Sequence, residues 1–397
     1  MVIIKIINAR IFTENGDFLP GSMEIENGRF GRIEYAGDAP RGAAKPQVSG
    51  DVVDAGGCYA IPGLIDIHLH GCAGYKFYET TLEGMHKMLE YQAANGVTAV
   101  TPTTLTLPGD ELERACEVVA EAAELIGGDA KKYANEAAPV GVYLEGPFLS
   151  PAKSGAQNPA YAIPFDIDLY NRLRKASKNL VKIIAIAPEL EGAPEFIDAV
   201  KGEAVVAIAH TVADYAATVA AFKRGASHVT HLYNAMSPFS HREPNVIGAT
   251  FDTPGVTAEL ICDGVHLHPA AVRIAVRLLG ADRAVLVSDS MTATGLGDGD
   301  YELGGLSVRV AGKEARLVKG GNIASSVSNL MDCLRVAVKD VGVPLGDAVR
   351  CASSNPARVL RLENERGNIR EGLIADIVLL DAELNTAKIY VRGRPIL

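Results

Sequence analysis

The amino-acid sequence predicts an α/β protein: a (β/α)8 barrel of the TIM type with a small β-sandwich domain built from both chain ends. Two observations predict the barrel. Eight short apolar runs, rich in β-branched residues, occupy the middle of the chain, and most are separated by segments with helical periodicity. Eight strands alternating with helices within roughly 250 residues are typical of this barrel. The runs are Ile61–His68, Val97–Thr101, Val140–Glu145, Ile183–Ala187, Val205–His210, His228–Leu232, Val256–Cys262 and Ala284–Ser288.

The segments between the runs predict amphipathic helices. After the first run, the pattern predicts a helix that begins with a capping box of Thr80 and Glu83 and ends near Gly96. A second helix is predicted after Asp110, and Gly127 ends it. The apolar face of the first helix carries Leu82, Met85, Leu89 and Ala93.

The two ends of the chain have a different pattern. Both consist of short alternating stretches, and those at the N-terminal end are separated by Asn-Gly turns, which is typical of antiparallel strands. We therefore predict that residues 1–57 and 355–397 form one β-sandwich domain, beside a barrel of residues 58–354. The Gly-rich segment 301–318 predicts a hairpin after the eighth barrel strand.

Composition narrows the class of protein. The chain has 397 residues, 48% of them hydrophobic, and no apolar run long enough to span a bilayer, so no membrane partner is predicted. The net charge of −10 argues against a nucleic-acid partner but allows a local basic pocket. Six scattered cysteines without a Cys-x-x-Cys pair, and a start that lacks a signal-peptide pattern, predict a reduced, cytoplasmic protein.

Six side chains that commonly bind metal ions lie at the carboxyl ends of the runs. Active sites of (β/α)8 barrels are built at that end of the strands, where distant positions meet. Imidazole and carboxylate groups are the usual ligands of catalytic zinc sites, which keep one position open. The sequence therefore predicts a metallohydrolase site. Its candidate residues are His68, His70, Glu145, His210, His231 and Asp289.

Several of these residues have an ordinary structural alternative. His68 and His70 share one face of a strand, but a His-x-His pattern alone is about as often packing as metal binding. Glu145 ends a buried run, where the alternative to a metal is an ion pair with an arginine. We predict that Asp289 is the general base and then the general acid, with a helix N-cap as its alternative. His228 is interpreted as structural.

Two longer stretches are specific for one family. They are Glu145-Gly-Pro-Phe148 and, later in the chain, Thr230-His-Leu-Tyr-Asn-Ala-Met236. With the further matches, the chain resembles the N-acetylglucosamine-6-phosphate deacetylase family of the amidohydrolase superfamily nearly from end to end. The further matches are Pro62–Gly71, Ala209–Thr211, His241–Pro244, Asp263–His266, Val287–Asp289 and Asn355–Arg358.

The resemblance implies a metal site. Glu145, His210 and His231 would bind the catalytic divalent ion, with zinc the first choice and iron, manganese or cobalt as alternatives. Because His68 and His70 are both present, we expect one or two ions per chain and favour two, bridged by Glu145. The reaction implied is hydrolysis of the N-acetyl amide of N-acetylglucosamine-6-phosphate.

The resemblance also implies how the substrate is bound. Asn234 and Ala235 would line the sugar site, and His266 would contact the substrate. Arg242 would bind the 6-phosphate, often across a dimer interface in this family, and a guanidinium matches phosphate oxygens. Gln157 or His266 would stabilise the oxyanion. The expected partners are therefore an amino-sugar phosphate and a second copy in a homodimer.

Two positions depart from the family and keep alternatives open. Gln157 occurs where many relatives have a histidine that contacts the substrate amide, and Ser325 where relatives usually have glycine. Glutamine can donate a hydrogen bond but cannot titrate. A deacetylase of N-acetylgalactosamine-6-phosphate or another N-acetyl amino-sugar phosphate is therefore an alternative, and a non-catalytic sugar-phosphate-binding relative is another. Hydrolases of cyclic amides are disfavoured because the fourth run ends without their bridging lysine.

Overall fold

The computed structural model describes residues 3–36 and 51–397, so residues 1–2 and 37–50 of the predicted N-terminal domain lie outside the described residues. The strands in chain order are Ile3–Phe12 (β1), Phe18–Glu26 (β2), Arg29–Tyr35 (β3), Asp51–Asp54 (β4), Tyr59–Pro62 (β5), Leu64–Leu69 (β6), Gly71–Cys72 (β7), Tyr75–Lys76 (β8), Val97–Pro102 (β9), Ala138–Pro139 (β10), Val142–Leu144 (β11), Val181–Ile186 (β12), Val205–Ile208 (β13), His228–Val229 (β14), Thr257–Ile261 (β15), Ala284–Val287 (β16), Gly299–Leu303 (β17), Leu306–Ala311 (β18), Glu314–Leu317 (β19), Ile377–Leu380 (β20), Thr386–Val391 (β21) and Arg394–Pro395 (β22).

Helices follow most of the central strands. None of the described helices is both long and apolar enough to cross a membrane. The α-helices are Leu82–Ala94 (α1), Gly109–Gly128 (α2), Ile167–Ala176 (α3), Ala193–Val200 (α4), Tyr215–Arg224 (α5), Asn245–Asp252 (α6), Pro269–Leu279 (α7), Leu330–Val336 (α8), Leu345–Val349 (α9) and Asn355–Val359 (α10), with 3-10 turns at Pro151–Lys153 and Pro159–Tyr161 and π-helical turns at Ala337–Val341 and Arg350–Ser354.

All eight predicted runs contain a strand that pairs in parallel with its neighbours. One sheet has the order β10-β9-β6 and another the order β11-β12-β13-β14-β15-β16. Two isolated parallel bridges link the two sheets, from Leu69 to Ser290 at one edge and from Thr103 to Tyr143 at the other. The third run, Val140–Glu145, contains β11, and the short strand β10 ends just before the run, at Pro139. The carboxyl ends of these strands therefore face the same side.

Apolar side chains of these strands divide between two clusters. Ile65 and Ile67 of β6 belong to a small buried cluster with side chains from the other parallel strands, whereas Leu64 and Leu69 join the large cluster that includes the helices. Strands covered on both faces need apolar side chains on both, which explains the nearly continuous apolar runs. The small cluster also contains Ala99, Tyr143, Ile183, Ala185, Ala207, Ala209, Ile261, Val285 and Val287.

The first helix differs from its prediction by one residue. The N-cap of α1 is Thr81, whose hydroxyl accepts a hydrogen bond from Gly84 N at 3.2 Å, so the predicted capping box at Thr80 is wrong. Both threonines suit an N-cap chemically, and the backbone of the preceding loop decides between them. The end of the helix agrees with the prediction, because Gly96 follows it in the left-handed region at φ 79°.

Both ends of the chain meet in one sheet. Its order is β22-β21-β20-β5-β1-β2-β3, and β4 pairs with β1. The first predicted run is divided, because Ile61 and Pro62 pair with β20 in this sheet and β6 begins only at Leu64. Gly63 lies between the two strands, where a Cβ would come within 2.2 Å of Thr98 Oγ1.

The predicted hairpin after the eighth parallel strand is a three-stranded antiparallel sheet of β17, β18 and β19. Two contacts hold it against the region after β6. Tyr78 Oη accepts a hydrogen bond from Gly304 N at 3.0 Å, and Lys76 forms an ion pair with Glu302 at 2.7 Å. This small sheet therefore lies beside the carboxyl ends of the parallel strands.

Candidate metal centre

The six predicted ligand-type residues come together at the carboxyl ends of the parallel strands. They form two groups in which the potential ligand atoms lie within 4.8 Å of one another, and all six residues are buried. The first group is His68, His70 and Asp289, and the second group is Glu145, His210 and His231. These names are used below.

Five of the six residues reach the site from short segments just beyond the strand ends, whereas His68 lies within β6. His210, His231 and Asp289 each lie two residues after their strand and have left-handed backbones, with φ of 42°, 27° and 47°. A non-glycine residue in this region costs about 1–3 kcal/mol and persists only where the surroundings impose it. Such strain is concentrated at functional sites, which favours a functional reason for these three positions.

Within each group the imidazole nitrogens converge. His68 Nε2 and His70 Nε2 are 3.3 Å apart, and His210 Nε2 and His231 Nε2 are 3.1 Å apart. In the first group, Asp289 Oδ1 lies 3.2 Å from His70 Nε2 and 3.6 Å from His68 Nε2. Each group therefore presents two imidazoles and one carboxylate to a common point.

Glu145 lies between the two groups. Its Oε1 is 3.2 Å from His210 Nε2 and 3.0 Å from His231 Nε2, and its Oε2 is 3.3 Å from His70 Nε2. Oε1 also lies 3.6 Å from His68 Nε2, so both oxygens lie near the first group and Oε1 contacts the second group as well. The arginine ion pair that was the alternative for Glu145 is absent from its contacts with the described residues.

The outer nitrogens of three histidines are already engaged. His68 Nδ1 lies 2.8 Å from Glu259, His70 Nδ1 lies 3.3 Å from the carbonyl of Thr103, and His210 Nδ1 lies 2.8 Å from the carbonyl of Lys153. Because a carbonyl or carboxylate only accepts, each Nδ1 donates. The neutral imidazole then directs the lone pair of Nε2 into its group.

This arrangement fits a divalent cation. Neutral imidazoles whose Nε2 lone pairs meet at 3.1–3.3 Å repel one another unless a positive charge lies between them. Two imidazoles with one carboxylate are a common ligand set for catalytic zinc. The residues in both groups therefore fit a metal ion, and they are two candidate metal-binding groups.

The charges around His68 and His70 favour positive charge in the first group. Burial alone would lower the pKa of His68 and His70, but the carboxylates around them raise it, to about 10 for His68 and about 9 for His70. Burial raises the pKa of Glu145 and of Asp289, but the neighbouring histidines lower it. The net effect is a lowered pKa for both carboxyl groups. The site thus attracts positive charge strongly.

A further acid, Asp66, lies next to the backbone of His68. Asp66 is fully buried, and its Oδ1 accepts hydrogen bonds from the backbone N–H groups of His68 and Ser288, both at 3.3 Å. Burial raises the pKa of Asp66 to about 7. This residue therefore links the strand of His68 to the segment that carries Asp289.

Gln157 is buried and bridges two parts of the site. Its Nε2 donates to Glu145 Oε2 at 2.5 Å, and its Oε1 accepts from Thr106 N at 2.6 Å. The backbone donor thereby sets which end of the amide faces Glu145. Ser325, the other departure from the family pattern, donates to the carbonyl of Asp289 and lies 3.3 Å from Asp289 Oδ1.

A cavity of about 510 Å³ opens over both groups. Of the predicted substrate-binding residues, Gln157, Asn234, Ala235 and His266 line it, whereas Arg242 is exposed and outside the lining. Its other walls include Leu105, Lys153 and, from the segment 303–325, Leu303, Asn322, Ile323 and Ser325. The cavity is large enough for a small-molecule substrate.

His266 is held by an acid that our sequence analysis did not single out. Its Nδ1 lies 2.8 Å from Asp263 Oδ2, and Asp263 Oδ1 accepts from the backbone N–H groups of Val265 and His266, both at 2.9 Å. Although burial lowers the pKa of His266, the hydrogen bond to Asp263 raises it above 6.5. The matched stretch Asp263–His266 contained the signal for this pair.

Glu259 is the functional candidate that sequence reasoning missed. It is completely buried in β15 and contacts His68, His228 and the backbone N–H of His231. An acidic residue inside the apolar run Val256–Cys262 was a visible anomaly, because a buried carboxylate needs a partner. Its neighbours could not be identified from the run itself.

Comparisons with known proteins identify the family of this chain. The pattern of the amidohydrolase family matches residues 59–395. N-acetylglucosamine-6-phosphate deacetylase of Bacillus subtilis is 33% identical over 96% of this chain and 94% of its own length. N-acetylgalactosamine-6-phosphate deacetylase of Escherichia coli is 34% identical over 84% of this chain and 86% of its own length.

Solved structures are similar over the whole chain. A variant of N-acetyl-D-glucosamine-6-phosphate deacetylase from Mycobacterium smegmatis, in complex with N-acetyl-D-glucosamine-6-phosphate, superposes with a TM-score of 0.87 and 32% identity. The match covers 100% of this chain and 99% of that chain. The likeness therefore includes both the parallel strands and the chain-end sheet.

Proposed function

This chain belongs to the amidohydrolase family and, within it, to the N-acetylglucosamine-6-phosphate deacetylases, and from that premise we propose its reaction. The protein hydrolyses the N-acetyl amide of N-acetylglucosamine-6-phosphate to glucosamine-6-phosphate and acetate. The observation that carries this proposal is the pair of buried ligand groups joined by Glu145 under a substrate-sized cavity.

The two groups would each hold a divalent ion, and zinc is our first choice. The second group would hold the catalytic ion through Glu145, His210 and His231. The first group would hold a further ion through His68 and His70. When bound, the metal supplies an activated water and a Lewis acid for the amide carbonyl.

Asp289 would move the proton. Its carboxylate lines the cavity beside His70. Burial raises its pKa, but the interactions with His68 and His70 lower it overall, so the carboxylate is ionised and able to accept a proton. Asp289 takes a proton from the attacking water as the C–O bond forms. It then returns that proton to the nitrogen as the C–N bond breaks, which releases acetate and the amine.

Two cavity residues would assist at the carbonyl. His266 faces the cavity and, held by Asp263, can donate from Nε2 to the developing oxyanion or to the substrate phosphate. Gln157 uses its amide to hold Glu145, so its main contribution is to orient that carboxylate, and its direct contact with the substrate amide stays a prediction.

We also propose the domain structure, the location and the assembly of the protein. The two parallel sheets would form one closed eight-stranded barrel over residues 58–354, and residues 1–57 and 355–397 a β-sandwich domain. The protein would act in the cytoplasm as a homodimer. Arg242, exposed and outside the cavity lining, would reach the 6-phosphate bound by the partner subunit.

One experiment tests the reaction. Metal-stripped protein receives zinc, iron(II), manganese or cobalt, and acetate release from N-acetylglucosamine-6-phosphate is measured, with the galactosamine epimer in parallel. We expect metal-dependent release and a preference for the glucosamine substrate. The epimer is included because the relative from Escherichia coli is an N-acetylgalactosamine-6-phosphate deacetylase. Binding without acetate release from either sugar would contradict the proposal.

A further inference from the structure

A further buried carboxylate, that of Glu259, lies beside the metal centre and outside the cavity lining. Glu259 lies inside β15, and its side chain is 0% exposed. A carboxylate in such a place is costly unless every part of it is hydrogen-bonded. Its hydrogen bonds therefore indicate why it is there.

One oxygen of Glu259 contacts both candidate metal-binding groups. Glu259 Oε2 lies 2.8 Å from His68 Nδ1, in the first group, and accepts from the backbone N–H of His231, in the second group, at 3.0 Å. Leu232 N also donates to the backbone carbonyl of Glu259, at 2.9 Å. The segment that carries His231 is thus tied to β15 on both sides of that residue.

The other oxygen is held from the far side. Glu259 Oε1 lies 3.0 Å from His228 Nε2, and His228 Nδ1 lies 2.6 Å from Thr257 Oγ1. Both histidine nitrogens are therefore engaged, and His228 is completely buried. This chain of contacts prevents the carboxylate of Glu259 from turning away from His68.

We propose that Glu259 is a positioning residue that holds His68 with its Nε2 lone pair directed into the first group, and so sets the metal affinity of that group. The inference rests on the proposal that both groups bind metal. Imidazole has a single acceptor nitrogen when neutral, so a carboxylate that accepts from Nδ1 leaves only Nε2 to bind an ion. The negative charge also strengthens His68 as a ligand.

The geometry selects an informative variant. In Glu259→Gln, the amide oxygen is expected to face His68 and His231, because the backbone N–H of His231 can only donate. The amide nitrogen can then donate to His228, which accepts at Nε2 if its proton is on Nδ1. Glu259→Gln thus keeps every hydrogen bond and removes only the charge, whereas Glu259→Leu removes both.

The chain also offers a matched control. Glu136 is another buried glutamate, with a carboxylate oxygen 2.7 Å from His86 Nδ1, and it lies outside both groups. Glu136→Gln and Glu136→Leu therefore report the general effect of altering a buried Glu–His pair. We expect both to bind zinc with wild-type affinity.

The experiment measures the two zinc dissociation constants of each full-length variant by competition with a chelator. In Glu259→Gln, we expect the constant of the first group to weaken by about 10–100-fold and that of the second group by less than about threefold. In zinc-loaded protein labelled with ¹⁵N-histidine, the Nδ1–H signal of His68, identified by its loss in His68→Asn, should persist in Glu259→Gln and disappear in Glu259→Leu.

Other outcomes would overturn the inference. Two constants that stay at wild-type values in Glu259→Gln would show that the carboxylate does not tune the site. Equal weakening of both constants, or the same change in the Glu136 variants, would indicate general damage. If one of these outcomes were found while the wild-type protein bound two ions and released acetate, only the inference about Glu259 would be wrong and the proposed function would remain. A wild-type protein that binds none of zinc, iron(II), manganese and cobalt would instead overturn both.

Discussion

The two groups that meet at Glu145 contain the same kinds of ligand but are supported differently. In the first group, His68 is supported from the strands, because it lies in β6 and its Nδ1 bonds to Glu259 in β15. The second group is supported from a loop, because His210 Nδ1 bonds to the carbonyl of Lys153. Its other histidine, His231, has a buried Nδ1 without a hydrogen-bond partner among the described residues.

The difference indicates two mechanical roles. Strands buried on both faces hold His68 of the first group in a nearly constant geometry. The loop that supports the second group also lines the cavity through Lys153, Ser154 and Gln157, so substrate contacts can reach its ligands directly. We expect the first group to respond to changes in the strands and the second to changes in this loop.

The largest expected effect is that of Asp289→Asn. This change removes the carboxylate that takes a proton from water and returns it to the leaving nitrogen. We expect kcat to fall by about 10⁴-fold, at the upper end for general acid–base catalysis. Metal analysis should show that the second group keeps its ion, because Glu145, His210 and His231 are unchanged. Retained turnover would exclude Asp289 as the general base.

The next prediction separates the groups by their ligands. His210→Asn should remove the ion of the second group and nearly all activity, whereas His70→Asn should remove the ion of the first group with a smaller loss. Ions per chain and kcat, measured on the same metal-loaded samples, check this. Equal loss of activity would mean that both ions are needed for the chemistry, and an unchanged ion count would contradict the ligand assignments.

A smaller effect is expected at Gln157, which joins the loop to Glu145. Gln157→Leu leaves Glu145 Oε2 without its amide donor and should weaken zinc binding to the second group by about 10–100-fold. Gln157→His, which restores the residue common in the family, is the matched control and should retain more activity. Zinc competition and kcat would test both variants, and wild-type affinity in the leucine variant would refute the positioning role.

The smallest effect concerns the far wall of the cavity, where His266 pairs with Asp263. The pKa of His266 is raised, so its contribution to stability is complete below pH 6.5 and is lost as pH rises through the higher folded value. The pKa of Asp263 is lowered, so its contribution is present above pH 3.8 and is lost at lower pH. The pair therefore stabilises the fold most between about pH 4 and 6.5.

Asp263→Asn should lower the free energy of unfolding by about 1–3 kcal/mol at pH 5.5 and by less at pH 9. It should also lower the pKa of His266, which an NMR titration can follow. The control is Asp300→Asn, which breaks an exposed ion pair with Arg309 and should change little. A loss of stability in Asp263→Asn that is independent of pH would contradict the ion-pair account.

Much of the site could be predicted from the chain alone, because parallel strands bring their carboxyl ends to one side whatever the details of packing. Strand ends marked by His70, Glu145 and Asp289 therefore had to lie close together. Element boundaries were less accurate, as the shift of the N-cap to Thr81 and the division of the first run at Gly63 show. Both depend on local backbone geometry that adjacent residues of similar chemistry do not distinguish.

Periodicity and residue chemistry are local properties, so the chain alone predicts the alternation of strands and helices, the family resemblance and the ligand types at the strand ends. The packing of the strands determines which acids support which ligands. Glu259 lies 191 residues from His68 in the chain, yet one carboxylate oxygen lies within hydrogen-bond distance of it. A hydrogen bond depends on distance and direction in space, and these exist only after the strands have packed.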